Sequence, residues 1–307
     1  MSSSYLGLAL GGGGARGAAH IGAIQVLHDS GVRPDIIAGT SAGSTVGAMY
    51  AATLNPIWIE KRFRAFMSDE AFRKFNSGEL LDGRNQETFL NKVTSKVKQH
   101  YMVILGLNRS YVSGREILEK AVDYLLPADS FEELKIPLKI LVTDIQSGED
   151  FIHESGDLKE AIVQSSSIPG FFEPTYKDGR LLVDGGVTAP IPVYLLKKLT
   201  KLVMAIDITN YSVKPMSNPN MIEIVRRSDI ITSLRLKKRI SQDADILIRP
   251  NVLGLHWSEF GKFDDLLQSG RDAADNALKS VMDFRPAEDH IFYNLLMTLS
   301  NIRPDIW

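Results

Sequence analysis

The sequence predicts an α/β domain in which helices cover both faces of a mainly parallel sheet and a helical cap is inserted between two strands. Three observations favour this fold. Short apolar runs alternate with helical patterns, two such strand–helix units fall within about the first fifty residues, and glycine-rich turns separate strand from helix. A chain of 307 residues is also long enough to bury a large core.

The first part of the chain supplies the two strand–helix units. Its predicted elements are a strand at 5–10, a glycine-rich turn at 11–17, a helix at 18–30, a strand at 35–38 and a helix of small residues from 44. The first helix is indicated by Ile21, Ile24 and Leu27, which recur at helical spacing. Gly31 then ends this helix in the usual C-terminal manner.

Residues 55–130 interrupt this alternation. They mix charged residues with aromatic ones, from Trp58 to Phe75, and contain an apolar segment at 101–107. We predict a mainly helical insertion that caps the domain and is not a domain of its own. Its aromatic and apolar residues fit a lid over a site or an ordinary core contact equally well.

The strand–helix alternation resumes after residue 130. The predicted elements are a strand at 138–144 with a hairpin partner at 151–153, a helix at 158–165, a strand at 181–183, a helix at 193–199, a strand at 202–208, a long helix at 221–240, a strand at 245–248 and helices beyond 258. The sequence therefore predicts one domain over 1–307. Its core covers about 5–210, and a C-terminal helical region covers about 258–307.

The composition and charge exclude several classes of protein. A net charge of −2 gives no basic field for nucleic acid, and the lack of cysteine excludes disulfides, thiolate metal sites and a cysteine nucleophile. The first ten residues lack the basic start and apolar stretch of a signal peptide, and no segment approaches the roughly 20 apolar residues of a membrane span. We therefore expect a cytoplasmic protein without a nucleic-acid partner, and the oligomeric state stays open.

The most informative motif is a serine between two glycines, Gly39-Thr-Ser41-Ala-Gly43. It follows an apolar run and precedes a helix of small residues. A sharp strand-to-helix turn of this kind holds the serine hydroxyl clear of the backbone, as in a nucleophile elbow. A tight glycine turn without chemistry would have the same pattern, so the motif alone leaves both interpretations open.

A glycine-rich turn, Gly11-Gly-Gly-Gly-Ala-Arg-Gly17, separates the first strand from the first helix. Its spacing Gly12-x-Gly14-x-x-Gly17 matches a dinucleotide fingerprint, which supports a Rossmann-type nucleotide-binding protein as the main alternative. That alternative needs an acidic residue at the end of the second strand, where the serine motif stands instead. Backbone N–H groups at a helix N-terminus bind any anion, including the oxyanion of acyl transfer.

A carboxylate follows a later strand in Leu181-Leu-Val-Asp184-Gly185-Gly186. Aspartate before glycine is often only a turn former. In open α/β sheets, however, reactive groups gather beyond the carboxyl ends of parallel strands, and the glycine-rich turn, Ser41 and Asp184 all follow predicted strands. We therefore expect an anion hole, a nucleophile and a carboxylate on one rim. No cluster of histidines and carboxylates has metal-ligand spacing, so we predict neither a metal nor a cofactor.

These three motifs, together with the block Ser165-Ser-Ser-Ile-Pro-Gly-Phe-Phe-Glu-Pro174, resemble the patatin-like phospholipase family. The chain is similar to a bacterial member close to the catalytic domains of the neuropathy target esterase group. The resemblance covers roughly residues 5–210 and is specific because the motifs combine in the same order. It implies a patatin-like three-layer α/β/α sandwich and a lipid ester substrate, a phospholipid or lysophospholipid, cleaved through an acyl-enzyme.

The resemblance also implies the roles of the site residues. Ser41 would be the nucleophile and Asp184 its base, in a serine–aspartate dyad. The oxyanion hole would be formed by Gly12, Gly13 and Gly14. The supporting positions of the motifs are Arg16, Gly17, Gly39, Gly43, Gly185 and Gly186. The third motif has Asp-Gly-Gly where Asp-Gly-Ala is also common, which leaves the carboxylate unchanged.

Histidine is the alternative base. A Ser-His-Asp triad in the usual α/β-hydrolase order would use His256 or His290. His20 lies one turn into the first predicted helix, where a packed, hydrogen-bonded side chain is typical.

The sequence leaves two interpretations open for each of three other features. Arg16 either anchors an anionic head group and steadies the oxyanion turn, or forms an ion pair with a neighbouring carboxylate. The serines at 165–167 either line an acyl pocket or end a helix before Pro169. The basic run at 226–239 is typical of a solvated helix face; the alternative is attraction to a membrane, which would place the protein at the membrane periphery.

Overall fold

The computed structural model describes residues 4–69, 110–213 and 215–283. Its strands are β1 (Ser4–Leu10), β2 (Ile36–Gly39), β3 (Leu138–Asp144), β4 (Glu149–His153), β5 (Thr175–Lys177), β6 (Arg180–Asp184), β7 (Thr200–Ile206) and β8 (Ile246–Ile248). Its helices are α1 (Ala18–Asp29), α2 (Ala42–Thr53), α3 (Pro56–Ser68), α4 (Glu116–Leu125), α5 (Leu158–Ser165), α6 (Val193–Lys197), α7 (Met221–Ser241) and α8 (Phe263–Asp283). Short 3-10 turns lie at Gly14–Gly17, Phe131–Glu133, Gly185–Val187 and Phe260–Lys262.

The strands form one sheet in the order β5-β6-β3-β2-β1-β7-β8, and β4 pairs with β3 beside this row. The neighbours from β3 through β2, β1 and β7 to β8 are all parallel. β4 and β6 run antiparallel to β3, and the short β5, which the sequence did not predict, runs antiparallel to β6. The mainly parallel sheet and the hairpin partner of β3 are thus confirmed.

The direction of β6 differs from the prediction. The sequence suggested that Asp184 follows a parallel strand, but β6 is antiparallel to β3. β2 pairs with β3 only as far as Gly39 opposite Ile140, and β6 takes over the same edge where Val142 faces Asp184. The physical reason is that β3 is longer than β2, so the last residues of β3 need another backbone partner. The last residue of β6, Asp184, therefore points toward the last residue of β2 along the same edge of β3.

Apolar side chains alternate between the two faces of the sheet along β1. Leu8 and Leu10 belong to the larger core cluster, which includes residues of α1, α2 and α8. Ala9 belongs to the smaller cluster, which includes residues of α6. This alternation is the two-residue period of a strand buried on both faces, so helices cover both sides of the sheet as predicted.

Two helices of the predicted insertion, α3 and α4, lie in the described ranges. α3 begins at Pro56, where proline suits the first helical turn. Arg62 of α3 donates to the carbonyl oxygen of Tyr124 in α4 at 2.7 Å, which ties the two helices together. Most of the insertion, including the apolar segment at 101–107, and the tail at 284–307 lie outside the described residues. The division of the chain into core, insertion and C-terminal region stays a prediction.

α1 and α8 cross at two glycines. A Cβ added to Gly22 of α1 would lie 1.9 Å from the Leu267 carbonyl oxygen, and one added to Gly270 of α8 would lie 2.0 Å from the Ala19 carbonyl oxygen. Only glycine allows the two helix backbones to approach this closely. Because α1 begins directly after the glycine-rich turn, this crossing also holds the helix that follows that turn.

Gly270→Ala should lower the free energy of unfolding by about 2 kcal/mol, because the added methyl group forces two backbones apart. In an isolated helix the same change stabilises by about 1 kcal/mol, so the sign of the effect reports the contact. Urea unfolding followed by circular dichroism measures it. The matched control is Gly261→Ala, whose Cβ would meet no atom within 4 Å. Equal stability of the two variants would contradict the close crossing.

Candidate active site

Ser41 lies in the sharp turn between β2 and α2. Its backbone angles are φ 54° and ψ −123°, a strained conformation for a residue with a side chain. Ser41 directly precedes the first turn of α2, whose positive dipole end favours negative charge. The Ser44 hydroxyl donates to the Ser41 carbonyl oxygen at 2.6 Å and holds this turn. The turn predicted from the sequence therefore has the strained strand-to-helix geometry of a nucleophile elbow.

A serine segment at the end of α5 braces both ends of the candidate dyad. The Ser41 N–H donates to the Ser165 hydroxyl oxygen at 2.9 Å, and that hydroxyl donates to the Leu141 carbonyl oxygen at 2.7 Å. The Asp184 N–H donates to the Ser167 carbonyl oxygen at 2.9 Å. The sequence indicated an acyl pocket or a helix end here. It gave no signal for this bracing, because the contacts join separate segments of the chain, and Ser41 and Ser165 are 124 positions apart.

Asp184 is almost completely buried beside Ser41. Its Oδ1 accepts the Gly186 N–H at 2.7 Å, and its carboxylate also interacts with the Ser41 hydroxyl. Burial raises the pKa of Asp184 to about 6, although these hydrogen bonds and the charge of Lys237 oppose the rise. A carboxylate with this pKa is a better base for a hydroxyl than an exposed aspartate, whose pKa is about 3.9.

The segment that follows Asp184 joins the elbow to the glycine-rich turn. The Thr40 hydroxyl donates to the Ala189 carbonyl oxygen at 2.9 Å. The Gly12 N–H donates to the Pro190 carbonyl oxygen at 3.0 Å. Two adjacent carbonyl groups thus hold Thr40, the residue before Ser41, and the glycine-rich turn that faces Ser41. Neither Ala189 nor Pro190 belongs to a motif that sequence reasoning identified.

The glycine-rich turn lies against Ser41, since a Cβ on Gly12 would be 3.3 Å from the Ser41 Cβ. The three predicted oxyanion donors differ in whether their N–H groups already have a hydrogen-bond acceptor. The Gly12 N–H is engaged by Pro190, which corrects the expectation that it faces an oxyanion. The N–H groups of Gly13 and Gly14 have no hydrogen-bond acceptor among the residues that the structure describes. Gly14 has φ +56° and no room for a Cβ, which would lie 2.4 Å from the Trp257 carbonyl oxygen.

Two side chains fix the peptide planes of this turn. His20 donates its Nε2–H to the Gly11 carbonyl oxygen at 2.7 Å. Arg16 donates both its Nε–H, at 3.0 Å, and its backbone N–H, at 3.2 Å, to the Gly13 carbonyl oxygen. In a trans peptide the next N–H points away from the carbonyl group, so holding the Gly13 oxygen directs the Gly14 N–H to the opposite side.

The charge states of these two side chains follow from their burial. Burial lowers the pKa of His20 to about 4, so its imidazole is neutral near pH 7 and has one N–H to donate. Its Nδ1 is buried and has no partner among the described residues. Burial also lowers the pKa of Arg16 to about 10, against the charge of Asp207, and the guanidinium stays protonated. Arg16 forms no ion pair within the described ranges, so its visible contact is with the turn.

The remaining glycines of the motifs lie where other backbone or site atoms are close. A Cβ would come within 2.2 Å of the Leu10 carbonyl oxygen at Gly43, within 2.3 Å of the Leu141 carbonyl oxygen at Gly185 and within 2.6 Å of Ser44 Cα at Gly39. At Gly17 it would lie 3.1 Å from the Ala42 Cβ, and at Gly186 it would lie 3.0 Å from the Asp184 Oδ1. These positions admit the close packing of loop, elbow and carboxylate.

The histidines of the described ranges have other partners. His28 binds the Tyr50 hydroxyl at 3.0 Å, His153 binds Gln164 at 2.8 Å and His256 binds Ser258 at 2.8 Å. His20 is packed and hydrogen-bonded as the sequence predicted. None of these four contacts Ser41 or Asp184. His100 and His290 lie outside the described residues.

A cavity of about 770 Å³ opens beside Ser41, a volume typical of a ligand pocket. Ser41, Ala42 and Ser166 lie on its wall next to the elbow. Most of the remaining wall is apolar and comes from α3, α4 and the segments around Phe172 and Trp257. Its large side chains are Phe63, Phe66, Met67, Ile117, Leu118, Tyr124, Leu125, Phe172, Trp257, Phe260 and Phe263. Three aromatic residues of the predicted insertion, Phe63, Phe66 and Tyr124, therefore face the site, whereas Trp58 packs against the core.

Two features are absent from residues 4–69, 110–213 and 215–283. No helix there has the length and apolar character that a bilayer span requires. No group of three or more histidine and carboxylate side chains there is arranged to hold a metal ion.

Comparison with known proteins identifies similar sequences. A family model described as patatin-like phospholipase matches residues 8–197. Neuropathy target esterase sws of Drosophila melanogaster is 26% identical over 312 residues, covering 92% of this chain and 20% of that protein. Lysophospholipase NTE1 of Kluyveromyces lactis is 29% identical over 296 residues, covering 88% of this chain and 19% of that protein.

The chain thus spans about a fifth of the length of these curated relatives. Among solved structures, VipD from Legionella pneumophila matches with a TM-score of 0.49 and 14% identity, over 92% of this chain and 69% of that one. The family match covers more than half of the chain and includes the elbow, the glycine-rich turn and Asp184. This chain belongs to the patatin-like phospholipase family.

Proposed function

We propose that this chain hydrolyses carboxylic esters of lipids, with Ser41 as nucleophile and Asp184 as base. The observation that carries the proposal is the contact of a strained, buried serine with a buried carboxylate at the wall of a large apolar cavity. The names of two similar proteins, a neuropathy target esterase and a lysophospholipase, favour a phospholipid or lysophospholipid substrate. The cytoplasmic location expected from the sequence stays a prediction.

The reaction proceeds through an acyl-enzyme. The Ser41 Oγ attacks the ester carbonyl carbon while its proton passes to the Asp184 carboxylate. The tetrahedral intermediate collapses, the C–O bond to the alcohol breaks, and Asp184 returns the proton to the leaving alkoxide. A water molecule then gives a proton to Asp184 and attacks the acyl-serine carbonyl carbon. When this second tetrahedral intermediate collapses, the bond to the Ser41 Oγ breaks, Asp184 returns the proton to that oxygen, and the fatty acid is released.

The charge of the tetrahedral intermediate is held by backbone groups. We assign the donors to the N–H groups of Gly13 and Gly14, which have no acceptor among the described residues. His20 and Arg16 act as positioning residues, because they hold the carbonyl groups of Gly11 and Gly13. Donors set in advance need no reorganisation during the reaction, which is why such sites stabilise developing charge well.

The nucleotide-binding alternative has no support from the site. It requires an acidic residue at the carboxyl end of β2, near the glycine-rich turn. The nearest candidate, Asp35, lies at the other end of that strand, where its carboxylate accepts the N–H groups of Tyr5 and Leu6 at 2.7 and 2.8 Å. Its role is structural.

Ser41→Ala should abolish covalent labelling by a fluorophosphonate and reduce ester turnover by a factor on the order of 10³ or more, since no other group can form the acyl-enzyme. Labelling followed by mass spectrometry and hydrolysis of a short-chain soluble ester measure both effects. Ser166→Ala is the matched control, because Ser166 lines the same cavity without touching the dyad, and it should keep labelling. Turnover retained in Ser41→Ala would refute the nucleophile.

The activity should fall as the pH drops through about 6, because a protonated Asp184 cannot accept the Ser41 proton. Asp184→Asn should remove turnover at every pH. The same change should raise the free energy of unfolding at pH 8 by up to about 3 kcal/mol. The charged carboxylate destabilises the folded state above the raised pKa of Asp184, and this destabilisation is absent below pH 3.8, where the carboxyl group is protonated in both states. Kinetic pH profiles and urea unfolding test both parts. A titration midpoint near 4, or loss of stability in Asp184→Asn, would contradict the proposed role.

His20→Phe should reduce kcat by roughly 10-fold or more with little change in KM, because the Gly11 carbonyl group loses its donor and the oxyanion turn loses its position. His20→Gln, which keeps an N–H at similar reach, should recover part of kcat. The carbonyl stretching frequency of a trapped acyl-enzyme gives an independent measure, and it should rise in His20→Phe as hydrogen bonding weakens. Unchanged frequency and equal kcat in the two variants would show a purely structural role.

A further inference from the structure

Helix α7 is long but is barely packed against the rest of the described chain. It spans Met221–Ser241, and Ser241 is its one buried residue. The side chains of Met221, Ile224 and Val225 are 77%, 51% and 65% exposed. A capping box of Asn220 and Glu223 fixes its N-terminus, so the helix begins at a defined place. Exposed apolar side chains grouped in this way indicate a surface that meets another apolar phase.

One side of α7 changes in character along its length. At 100° per residue, the exposed side chains Met221, Ile224, Val225, Ile231, Arg235 and Lys238 fall within one side of the helix. The first part of this side is apolar and the last part is basic. This side of α7 therefore offers apolar side chains to acyl chains and basic side chains to anionic head groups.

The charge of α7 is unlike that of the whole chain. The helix carries six basic residues and two acidic ones, whereas the chain has a net charge of −2. Arg226, Arg235 and Lys238 are exposed and form no ion pair within the described ranges. A local excess of uncompensated positive charge attracts anionic lipid head groups.

A groove of about 460 Å³ runs along the same helix. Ile231 and Leu234 of α7 line it together with Tyr211 and Val213, and its cationic side chains are Arg235, Lys238 and Arg249. An apolar floor with cations at its edge matches the junction between acyl chains and phosphate groups of a lipid. The groove therefore extends the exposed face of α7 and does not interrupt it.

We propose that α7 docks this protein on the surface of an anionic lipid bilayer. The helix is also close to the candidate active site, since the charge of Lys237 acts on the Asp184 carboxylate. Docking would bring the domain to the layer that contains its substrate. The physiological use of this surface depends on the proposed lipid ester hydrolysis, but the binding itself can be measured without turnover.

The first experiment measures vesicle binding with the Ser41→Ala protein, so that hydrolysis cannot change the membrane. Sedimentation should recover the protein with vesicles of phosphatidylcholine containing 30% phosphatidylglycerol and not with pure phosphatidylcholine. Arg226→Gln, Arg235→Gln and Lys238→Gln combined should weaken binding roughly 100-fold, since each cation near an anionic surface contributes about a factor of five. Glutamine keeps the helix propensity of α7.

A matched control removes equal charge elsewhere. Lys177, Lys198 and Lys201 are exposed and lie on other elements, so their combined change to glutamine should leave vesicle binding within about twofold. An equal loss in the two triple variants would mean attraction by overall charge and would overturn the assignment to α7. Equal binding of the α7 variant and the parent would overturn it as well.

A second experiment locates the contact on the helix. Because the chain has no cysteine, Val225→Cys provides a single labelling site for an environment-sensitive fluorophore. Its emission should shift to the blue on anionic vesicles. The same label at Tyr176→Cys, a position 70% exposed on β5, should not respond. A shift at position 225 that depends on protein concentration without vesicles would indicate a second copy of the chain on α7 and would refute the bilayer.

Activity separates this proposal from the proposed function. With Ser41 restored, the α7 triple variant should hydrolyse a short-chain soluble ester at the parental rate but lose turnover on anionic vesicles. If the parent protein has no esterase activity yet the vesicle and fluorophore results hold, the proposed function fails and the docking surface stands. If soluble and vesicle turnover are both unchanged in the triple variant while vesicle binding persists, docking by α7 is refuted.

Discussion

The carbonyl groups of Ala189 and Pro190 are the constraint on which the site depends. One accepts the Thr40 hydroxyl beside the nucleophile, and the other accepts the Gly12 N–H of the glycine-rich turn. Asp184 lies only a few residues earlier in the same segment. A single stretch of chain therefore sets the carboxylate, the elbow and the anion-binding turn relative to one another. Displacement of this stretch would disturb all three together, although it carries none of the chemistry itself.

Burial suits Asp184 to its proposed role as a base and also makes its charged form costly to the fold. Removal from water raises the pKa of Asp184 to about 6, which improves proton transfer from a hydroxyl. The same desolvation disfavours the charged carboxylate at neutral pH. Ser41 adds backbone strain at φ 54°. Contacts with the surrounding chain offset both costs, because Ser165 and Ser167 form hydrogen bonds with the backbone of Ser41 and Asp184. Stability is given up where the chemistry is proposed to occur.

One neutral side chain, His20, and one charged side chain, Arg16, fix the conformation of the glycine-rich turn. His20 holds the carbonyl group of Gly11 and Arg16 holds that of Gly13, so two peptide planes are fixed. The N–H groups of Gly13 and Gly14 meet no acceptor in the part of the chain that the structure describes. A sequence pattern of glycines indicates only that an anion can approach the backbone. Which N–H groups remain to meet it is set by neighbours that arrive from α1 and from the segment after β6.

The α/β class, the elbow at Ser41, the turn before α1 and the candidacy of Asp184 could be predicted from the sequence, because hydrophobic period, glycine placement and motif order are local properties. The sequence could not give the direction of β6, which follows from the free edge of β3. Nor could it show that Pro190 engages Gly12, or that Ser165 and Ser167 brace the dyad. Hydrogen bonds between distant segments form only when the folded chain brings their partners within about 3 Å, so tertiary structure alone decided them.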